Sequence, residues 1–298
     1  MTGLEPSAVD VPGRAEFVDV GDVTLHTVAA GPAEGEPVVL LHGFPECWYG
    51  WHEYLNPLAS AGYRVIVPDQ RGYNRSDKPD PVSAYRPDAL AGDVAGLLDA
   101  IDAPDAHVVG HDWGALVAWW LALHDPDRVR TLSILNVPHP TAFRRALLRD
   151  PRQLLRSWYA AFFQLPRLPE AIARRNDWRV AVDSMADTSR PGTFDETDFD
   201  RYRRAWSVAG AYRSMVNWYR AVVRTNARPR RRRVDPPTLV LWGADDAFLG
   251  RSLAAKSEAY CADGRLVVWD DATHWLHHEH PERVRDELTR QFSTTPGD

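Results

Sequence analysis

Short apolar runs recur along this chain, each bounded by glycine, proline or aspartate, and they constrain its fold more than any other feature. Continuous apolar runs of this length are typical of strands buried on both faces of a mostly parallel sheet. Helical stretches separate the runs, so the pattern predicts an α/β fold with a doubly wound sheet. The predicted strands lie at residues 38–41, 65–67, 107–109, 132–135, 239–241 and 266–269, and the predicted helices at 87–101, 115–124, 252–262 and 281–292.

The alternation stops between residues 140 and 233, where the pattern indicates several helices and no strand. We therefore expect a helical cap inserted at 140–233, between two parts of a core domain at 1–139 and 234–298. Ligands of open α/β sheets bind outside the carboxyl ends of the strands. An insertion over that edge is positioned to form a lid.

The chain has 298 residues, 44% of them hydrophobic, which suits one core domain with an insertion. Its formal net charge of −6 argues against nucleic acid or an anionic membrane as the main partner and favours a small uncharged ligand. The only cysteines, Cys47 and Cys261, are far apart and are interpreted as free thiols. Residues 1–17 lack the features of a signal peptide, and no run has the roughly 20 apolar residues of a membrane span. We expect a cytoplasmic protein, with a homo-oligomer left open.

Two other groups of residues suggest different functions. The arginine-rich run at 228–233 resembles a nucleic-acid patch, but a single short run in an acidic protein is interpreted as a solvated junction. His274, His277, His278 and His280 suggest a metal site, but they lack nearby cysteines and the His-Glu-x-x-His pattern. The last three are interpreted as surface or helix-start residues. We expect neither a metal nor a cofactor.

The predicted strand before Gly110 runs into Gly110-His111-Asp112-Trp113-Gly114 and then into a helix. This arrangement matches a nucleophile elbow, with aspartate in the place usually held by serine. A strained turn exposes its central side chain only where the flanking residues are small enough for close backbone packing, which explains the glycines. The alternative is that Asp112 merely caps the following helix.

Two further residues follow in the order nucleophile, acid, histidine that the α/β-hydrolase fold uses. His274 lies past the strand at 266–269, and either Asp245 or Asp246 supplies the acid past the strand at 239–241.

The first predicted strand leads into His42-Gly43-Phe44-Pro45, where this fold has its oxyanion loop. The backbone N–H groups of Phe44 and Trp113 are the candidates to stabilise an oxyanion. Without the elbow, an ordinary Gly-Pro turn would explain this loop equally.

An aspartate nucleophile narrows the chemistry, because a carboxylate with a reference pKa of about 3.9 is already ionised at neutral pH. Its attack on a saturated carbon gives an alkyl ester, which water must then open. His274, held by the acid, is free to activate that water. The predicted reaction is therefore displacement at carbon followed by ester hydrolysis.

An epoxide oxygen leaves as an alkoxide, and tyrosine, with a pKa of about 10, is a weak neutral acid suited to donate to it. Tyr159 and Tyr219 lie in the insertion, each on a helical face with apolar neighbours, so both should point inward. These neighbours are Leu155, Phe162 and Phe163 for Tyr159, and Tyr212, Val216 and Val223 for Tyr219. Spacing alone is equally consistent with tyrosines that only pack the core of the insertion.

Over nearly its whole length the chain resembles the epoxide hydrolases of the α/β-hydrolase fold superfamily. The matching core motifs are His42-Gly43-Phe44-Pro45, Asp69-Gln70-Arg71-Gly72-Tyr73, Ser76-Asp77-Lys78-Pro79, Gly110-His111-Asp112-Trp113-Gly114, Trp242-Gly243-x-x-Asp246 and His274-Trp275. The resemblance implies conversion of an epoxide and water to a vicinal diol through an ester on Asp112. It also favours Asp246 over Asp245 as the acid. Asn74 and Gly250 depart from a glycine and a proline that are common in the family.

In the insertion, Tyr159-Ala160-Ala161-Phe162-Phe163-Gln164 and Asn217-Trp218-Tyr219-Arg220 are similar to the segments that hold the family's two epoxide-polarising tyrosines. The resemblance thus implies that Tyr159 and Tyr219 donate hydrogen bonds to the epoxide oxygen.

The nearest alternative is a haloalkane or haloacid dehalogenase, which uses the same aspartate, acid and histidine but holds halide with Trp or Asn N–H donors. A small-molecule receptor without turnover is a third alternative, in which this catalytic set would be superfluous.

Overall fold

The computed structural model describes residues 3–9, 13–225 and 227–294. Within them, eight strands form one sheet in the order β1-β2-β4-β3-β5-β6-β7-β8. The strands are β1 Arg14–Asp19, β2 Thr24–Ala30, β3 Pro37–Leu41, β4 Arg64–Pro68, β5 Ala106–His111, β6 Val129–Leu135, β7 Thr238–Gly243 and β8 Gly264–Trp269. From β4 to β8 all neighbours are parallel, whereas β2 pairs antiparallel with both β1 and β4. The predicted mostly parallel α/β sheet is confirmed.

The apolar pattern misses the first two strands for a physical reason. β1 lies at the edge of the sheet and is largely exposed, so it contains no apolar run. In β2, the polar residues His26 and Thr27 are buried, and His26 Nδ1 lies 2.7 Å from a carboxylate oxygen of Asp69. A buried strand stabilised by a polar pair does not have the continuous apolar sequence that the prediction required.

Helices cover both sides of the sheet and fill the interval between β6 and β7. They are α1 His52–Ser60, α2 Pro87–Ala100, α3 Trp113–His124, α4 Pro140–Arg149, α5 Pro151–Arg156, α6 Trp158–Phe162, α7 Leu168–Ala173, α8 Arg179–Thr188, α9 Glu196–Trp206, α10 Ala211–Thr225, α11 Ser252–Glu258, α12 Leu276–Glu279 and α13 Pro281–Phe292. α11 ends earlier than the predicted residue 262, because Cys261 forms an isolated bridge with Val234. None of these helices, as far as the structure describes them, is long and apolar enough to cross a bilayer.

The interval between β6 and β7 contains α4 to α10 and, in its described residues, no strand. One expectation about this region is wrong, since Leu155 is 73% exposed and does not share an inward face with Tyr159. Val223 is 55% exposed, although it lines a cavity together with Tyr219. The helical conformation is interrupted at Ser157, between α5 and α6, so Leu155 and Tyr159 lie on different helices. Val223 lies near the end of α10, where the side chains are no longer buried.

Asn74 illustrates how a departure from the family pattern is accommodated. Its backbone has φ 36°, in the left-handed region that asparagine tolerates better than most residues. Its side chain exchanges hydrogen bonds with the backbone N–H and carbonyl of Leu4 at 2.9 and 3.0 Å and donates to Asp69 at 2.7 Å. Asparagine therefore keeps the turn and also fastens the N-terminal segment to it.

The strand order reverses at β3, and this reversal determines where a ligand site forms. From β3 the chain goes to β4 on one side, and β5 then pairs with the other side of β3. The loops that follow β3 and β5 therefore meet above the same edge of the sheet, as expected at a topological switch point. Residues 42–45 lie in the first loop and Asp112 in the second.

Candidate active site

Asp112 lies alone between β5 and α3, at φ 48° and ψ −121°. A non-glycine residue held in such a conformation costs of order 1–3 kcal/mol and persists only where its surroundings impose it. A Cβ on Gly110 would lie 2.6 Å from the backbone nitrogen of Ala115, and one on Gly114 would lie 2.1 Å from the carbonyl oxygen of Leu41. The Asp112 side chain makes no capping hydrogen bond to α3, so the capping alternative does not describe this residue.

The structure brings Asp112, His274 and Asp246 together. His274 follows β8, and its Nε2 lies 3.6 Å from Asp112 Oδ2. Asp246 lies in the loop after β7, and its Oδ2 is 2.7 Å from His274 Nδ1. Asp245 is exposed and pairs instead with Arg190 at 3.0 Å. Of the two adjacent aspartates, only Asp246 contacts the histidine.

Three N–H donors fix the Asp246 carboxylate. Asn136 Nδ2 donates to Oδ2 at 2.7 Å, and the backbone N–H groups of Phe248 and Leu249 donate to Oδ1 at 2.7 and 2.8 Å. Asn136 was not singled out from the sequence. Its one local signal is a polar side chain directly after an apolar strand, β6, at the carboxyl edge of the sheet.

Opposed charges set the pKa values of the facing pair. Burial by itself lowers the pKa of His274, but the carboxylates of Asp246 and Asp112 outweigh it and raise that pKa to about 10. Burial by itself raises the pKa of Asp112, but His274, His111 and the N–H of Phe44 together lower it. At neutral pH the resting site therefore contains an imidazolium facing a carboxylate.

The backbone N–H of Phe44 donates to Asp112 Oδ1 at 2.7 Å. This close approach requires glycine at position 43, where a Cβ would lie 2.3 Å from the Cβ of Asp112. Trp113 is the first residue of α3, and N–H groups in the first turn of a helix have no partner within it. Of the two backbone donors expected from the sequence, the N–H of Phe44 contacts the Asp112 carboxylate, and that of Trp113 directly follows Asp112 in the chain.

Tyr159 and Tyr219 lie beside Asp112, with ring centroids 5.9 Å apart. Among the described residues neither hydroxyl donates a hydrogen bond to another group, although the side chain of Trp113 donates to that of Tyr219. Both tyrosines line the same cavities as Asp112. Burial and the charge of Asp112 raise the pKa of both side chains above the ordinary value of 10.0. Both hydroxyls therefore stay protonated at neutral pH and are free to donate.

Two cavities meet at these three side chains. A cavity of about 450 Å³ extends past His274, Phe163 and Met185. A second, of about 650 Å³, extends past Trp113 and Leu116 towards α4 and the segment after α10. Each is large enough for a small organic molecule.

His277, His278 and His280 were expected at the surface or at a helix start, and they do lie at helix starts, the first two in α12 and His280 directly before α13. His277 is nevertheless buried and His278 is largely covered. His278 Nε2 lies 2.7 Å from Glu46, His111 Nδ1 lies 3.1 Å from it, and His277 lies 3.4 Å from it. Ligand atoms of Glu46, His111 and His277 lie within 4.8 Å of one another, as a metal site would require. Hydrogen bonds from His111, His278 and Tyr202 already account for the buried carboxylate.

A sequence model of the alpha/beta hydrolase fold family matches residues 36–281. The chain is 44% identical to AB hydrolase superfamily protein YfhM of Bacillus subtilis over 91% of this chain and 95% of that protein. It is 36% identical to Epoxide hydrolase 4 of Mus musculus over 94% of this chain and 80% of that one.

Among solved structures, Epoxide Hydrolase A from Mycobacterium thermoresistibile superposes with a TM-score of 0.83 at 30% identity, over 95% of this chain and 99% of that one. The Bacillus megaterium epoxide hydrolase in complex with an inhibitor superposes with a TM-score of 0.85 at 25% identity, covering 94% and 100%. The chain belongs to the α/β-hydrolase fold family, among relatives that include epoxide hydrolases. The resemblance inferred from its motifs is thereby confirmed.

Proposed function

We propose that this protein is an epoxide hydrolase that converts an epoxide and water to a vicinal diol through an ester on Asp112. The observation that carries the proposal is the pair of tyrosine hydroxyls, of Tyr159 and Tyr219, that line the same cavities as the carboxylate and donate to no other described group. An ionised nucleophile next to two neutral hydrogen-bond donors suits an epoxide. The attacked carbon and the leaving oxygen of an epoxide belong to the same three-membered ring. The relatives named epoxide hydrolases support the same substrate class.

The first step is alkylation. Asp112 Oδ2 attacks an epoxide carbon, the C–O bond of the ring breaks, and its electron pair goes to the ring oxygen. Tyr159 and Tyr219 donate hydrogen bonds to that oxygen as its charge develops, and one of them supplies the proton that makes it a hydroxyl and becomes a tyrosinate. Donors prearranged for a developing oxyanion contribute several kcal/mol to such a step.

The second step is hydrolysis of the ester. His274 removes a proton from water, which attacks the Asp112 carbonyl carbon, and the N–H groups of Phe44 and Trp113 stabilise the tetrahedral oxyanion. The C–O bond to the alkyl group then breaks, its oxygen takes the proton from His274, and the diol leaves. The proton of the new Asp112 carboxyl group passes to His274, which restores the carboxylate and the imidazolium. Alkylation itself prepares the base, because it removes the Asp112 charge that helps raise the pKa of His274. The imidazolium then returns a proton to the tyrosinate, which leaves His274 neutral before it acts on water.

We further propose that residues 140–233 act as a cap on a core formed by 1–139 and 234–298, since the two tyrosines come from that insertion and the other site residues from the core. The cytoplasmic location and the homo-oligomer stay predictions. Fractionation of the native host and light scattering of the purified protein would test them.

The proposal is tested by offering styrene oxide and a 1-haloalkane in separate assays for diol and for halide. Diol without halide is the expected result. Halide release without diol would replace the proposal by a dehalogenase, and saturable binding of epoxides without turnover would replace it by a receptor.

A further inference from the structure

The larger cavity runs from Asp112 to a group of exposed arginines, Arg144, Arg145, Arg228 and Arg232, here called the arginine rim. We propose that the arginine rim binds an anionic oxyacid group, such as a carboxylate or a phosphate, on the far end of the epoxide substrate. This inference rests on the proposed function and narrows its substrate class. It assigns a role to part of the arginine run at 228–233.

The wall of this cavity changes character along its length. Asp112 and Trp113 form its buried end, and apolar side chains, including Leu116, Val137 and Val222, continue from it. The arginine rim lies at the exposed end. An epoxide bound at Asp112 therefore extends an apolar chain through an apolar passage and presents its terminus to guanidinium groups.

The arginine rim is short of negative charge. Apart from Asp112, no carboxylate occurs among the described residues that line the cavity. Arg145 donates to the hydroxyl of Tyr260 at 2.6 Å, and the neighbouring Arg231 pairs with Asp235 at 3.3 Å. In the part of the chain that the structure describes, Arg144, Arg228 and Arg232 form no ion pair with a carboxylate.

Gathering like charges is unfavourable unless an anion joins them, and guanidinium groups match the oxygens of carboxylate and phosphate in geometry as well as charge. The chain as a whole carries a net charge of −6, so the positive arginine rim is a local feature. The overall charge led us to expect an uncharged ligand. The proposal changes that expectation for one end of the ligand only. The epoxide and its chain remain apolar.

The test compares three long-chain epoxides of equal length that end in a carboxylate, a phosphate monoester or a methyl ester. We expect a higher kcat/KM for the anionic substrates, by roughly 1.5- to 5-fold for each arginine that contacts the anion, as is usual for exposed ion pairs. The carboxylate and phosphate arms show which oxyacid the arginine rim prefers. Raising the salt concentration should reduce the preference, because exposed charges are screened.

In the triple variant Arg144→Gln/Arg228→Gln/Arg232→Gln, the ratio of anionic to ester kcat/KM should fall towards one. Arg175→Gln is the matched control, since Arg175 is an exposed arginine of the same insertion that lines neither cavity, and it should leave the ratio as it is. Thermal melting verifies that both variants are folded.

A wild-type ratio of one, or an undiminished ratio in the folded triple variant, would overturn the role of the arginine rim. Continued hydrolysis of styrene oxide in that case would leave the epoxide hydrolase activity standing. If styrene oxide and all three long-chain epoxides were inert, the proposed function and the arginine rim would fall together.

Discussion

The imidazole Nε2 of His111 lies 2.9 Å from the backbone carbonyl oxygen of His274. The residue directly before Asp112 thus holds the backbone of His274, whose side chain faces Asp112. The other ring nitrogen of His111 lies 3.1 Å from Glu46, whose carboxylate is fully buried. Burial raises the pKa of Glu46, but His277, His111 and His278 outweigh it and bring that pKa well below the ordinary value. An ionised carboxylate therefore anchors the chain of contacts behind the site.

Replacing Glu46 by Ala should lower the free energy of unfolding by about 3–5 kcal/mol. The groups that contact its carboxylate, among them His111, His278 and Tyr202, would lose both its negative charge and its hydrogen bonds. Equilibrium denaturation in urea measures the change. The exposed Glu34→Ala should alter stability by less than about 0.5 kcal/mol. Equal stability of the two variants would contradict the anchoring role of Glu46.

Asp112→Ala should abolish diol formation, because no side chain remains to form the ester. A loss of at least about 10⁴-fold in kcat is expected when a covalent nucleophile is removed. Chromatography of the diol measures the activity, and the melting temperature verifies that the variant is folded. Substantial residual diol from a folded variant would exclude the covalent route.

His274→Gln should still be alkylated but should fail to hydrolyse the ester, because glutamine cannot take a proton from water. Mass spectrometry of the intact variant after incubation with styrene oxide should detect an added mass equal to one epoxide, located by peptide mapping on Asp112. The same experiment with Asp112→Ala/His274→Gln provides the control and should give no adduct. An unmodified His274→Gln variant would argue against two separate steps.

Tyr159→Phe and Tyr219→Phe should each slow alkylation, by about 10- to 10³-fold, because each removes one donor to the developing oxyanion. The double variant should be nearly inactive. Single-turnover quenching with detection of the ester measures this step. Tyr63→Phe is the control, because Tyr63 lines neither cavity. This variant should be alkylated at the normal rate. Normal alkylation by the double variant would refute the assignment.

The two steps should respond differently to pH. Alkylation requires ionised Asp112, whose pKa lies below 3.8, so its rate should stay constant as the pH falls from 8 to roughly 5. Hydrolysis requires neutral His274. The rate of hydrolysis should therefore fall as the pH decreases through the apparent pKa of His274. In the ester this pKa lies below the resting value of about 10, because Asp112 no longer carries its charge. Stopped-flow tryptophan fluorescence, to which Trp113 next to Asp112 contributes, can follow both phases. A shared pH profile would contradict this mechanism.

What the sequence predicts depends on how local each signal is. Asp112 was recognisable because its strand, two glycines and helix are contiguous, and six of the strands were recognisable as apolar runs. Asn136 contacts Asp246, about 110 positions away, and Glu46 contacts His111, about 65 positions away. A short sequence motif cannot predict contacts over such distances along the chain. The exposed Leu155 has a similar cause, because a helical pattern continues across Ser157 in sequence although the helix itself does not.

The unequal cavities on either side of Asp112 have a stereochemical consequence. An epoxide in the interior of a chain would have one substituent in the space of about 450 Å³ and the other in the space of about 650 Å³. Substituents of different bulk then favour one of the two ways of inserting the molecule. The choice of orientation decides which ring carbon meets the carboxylate, and with it the configuration of the diol.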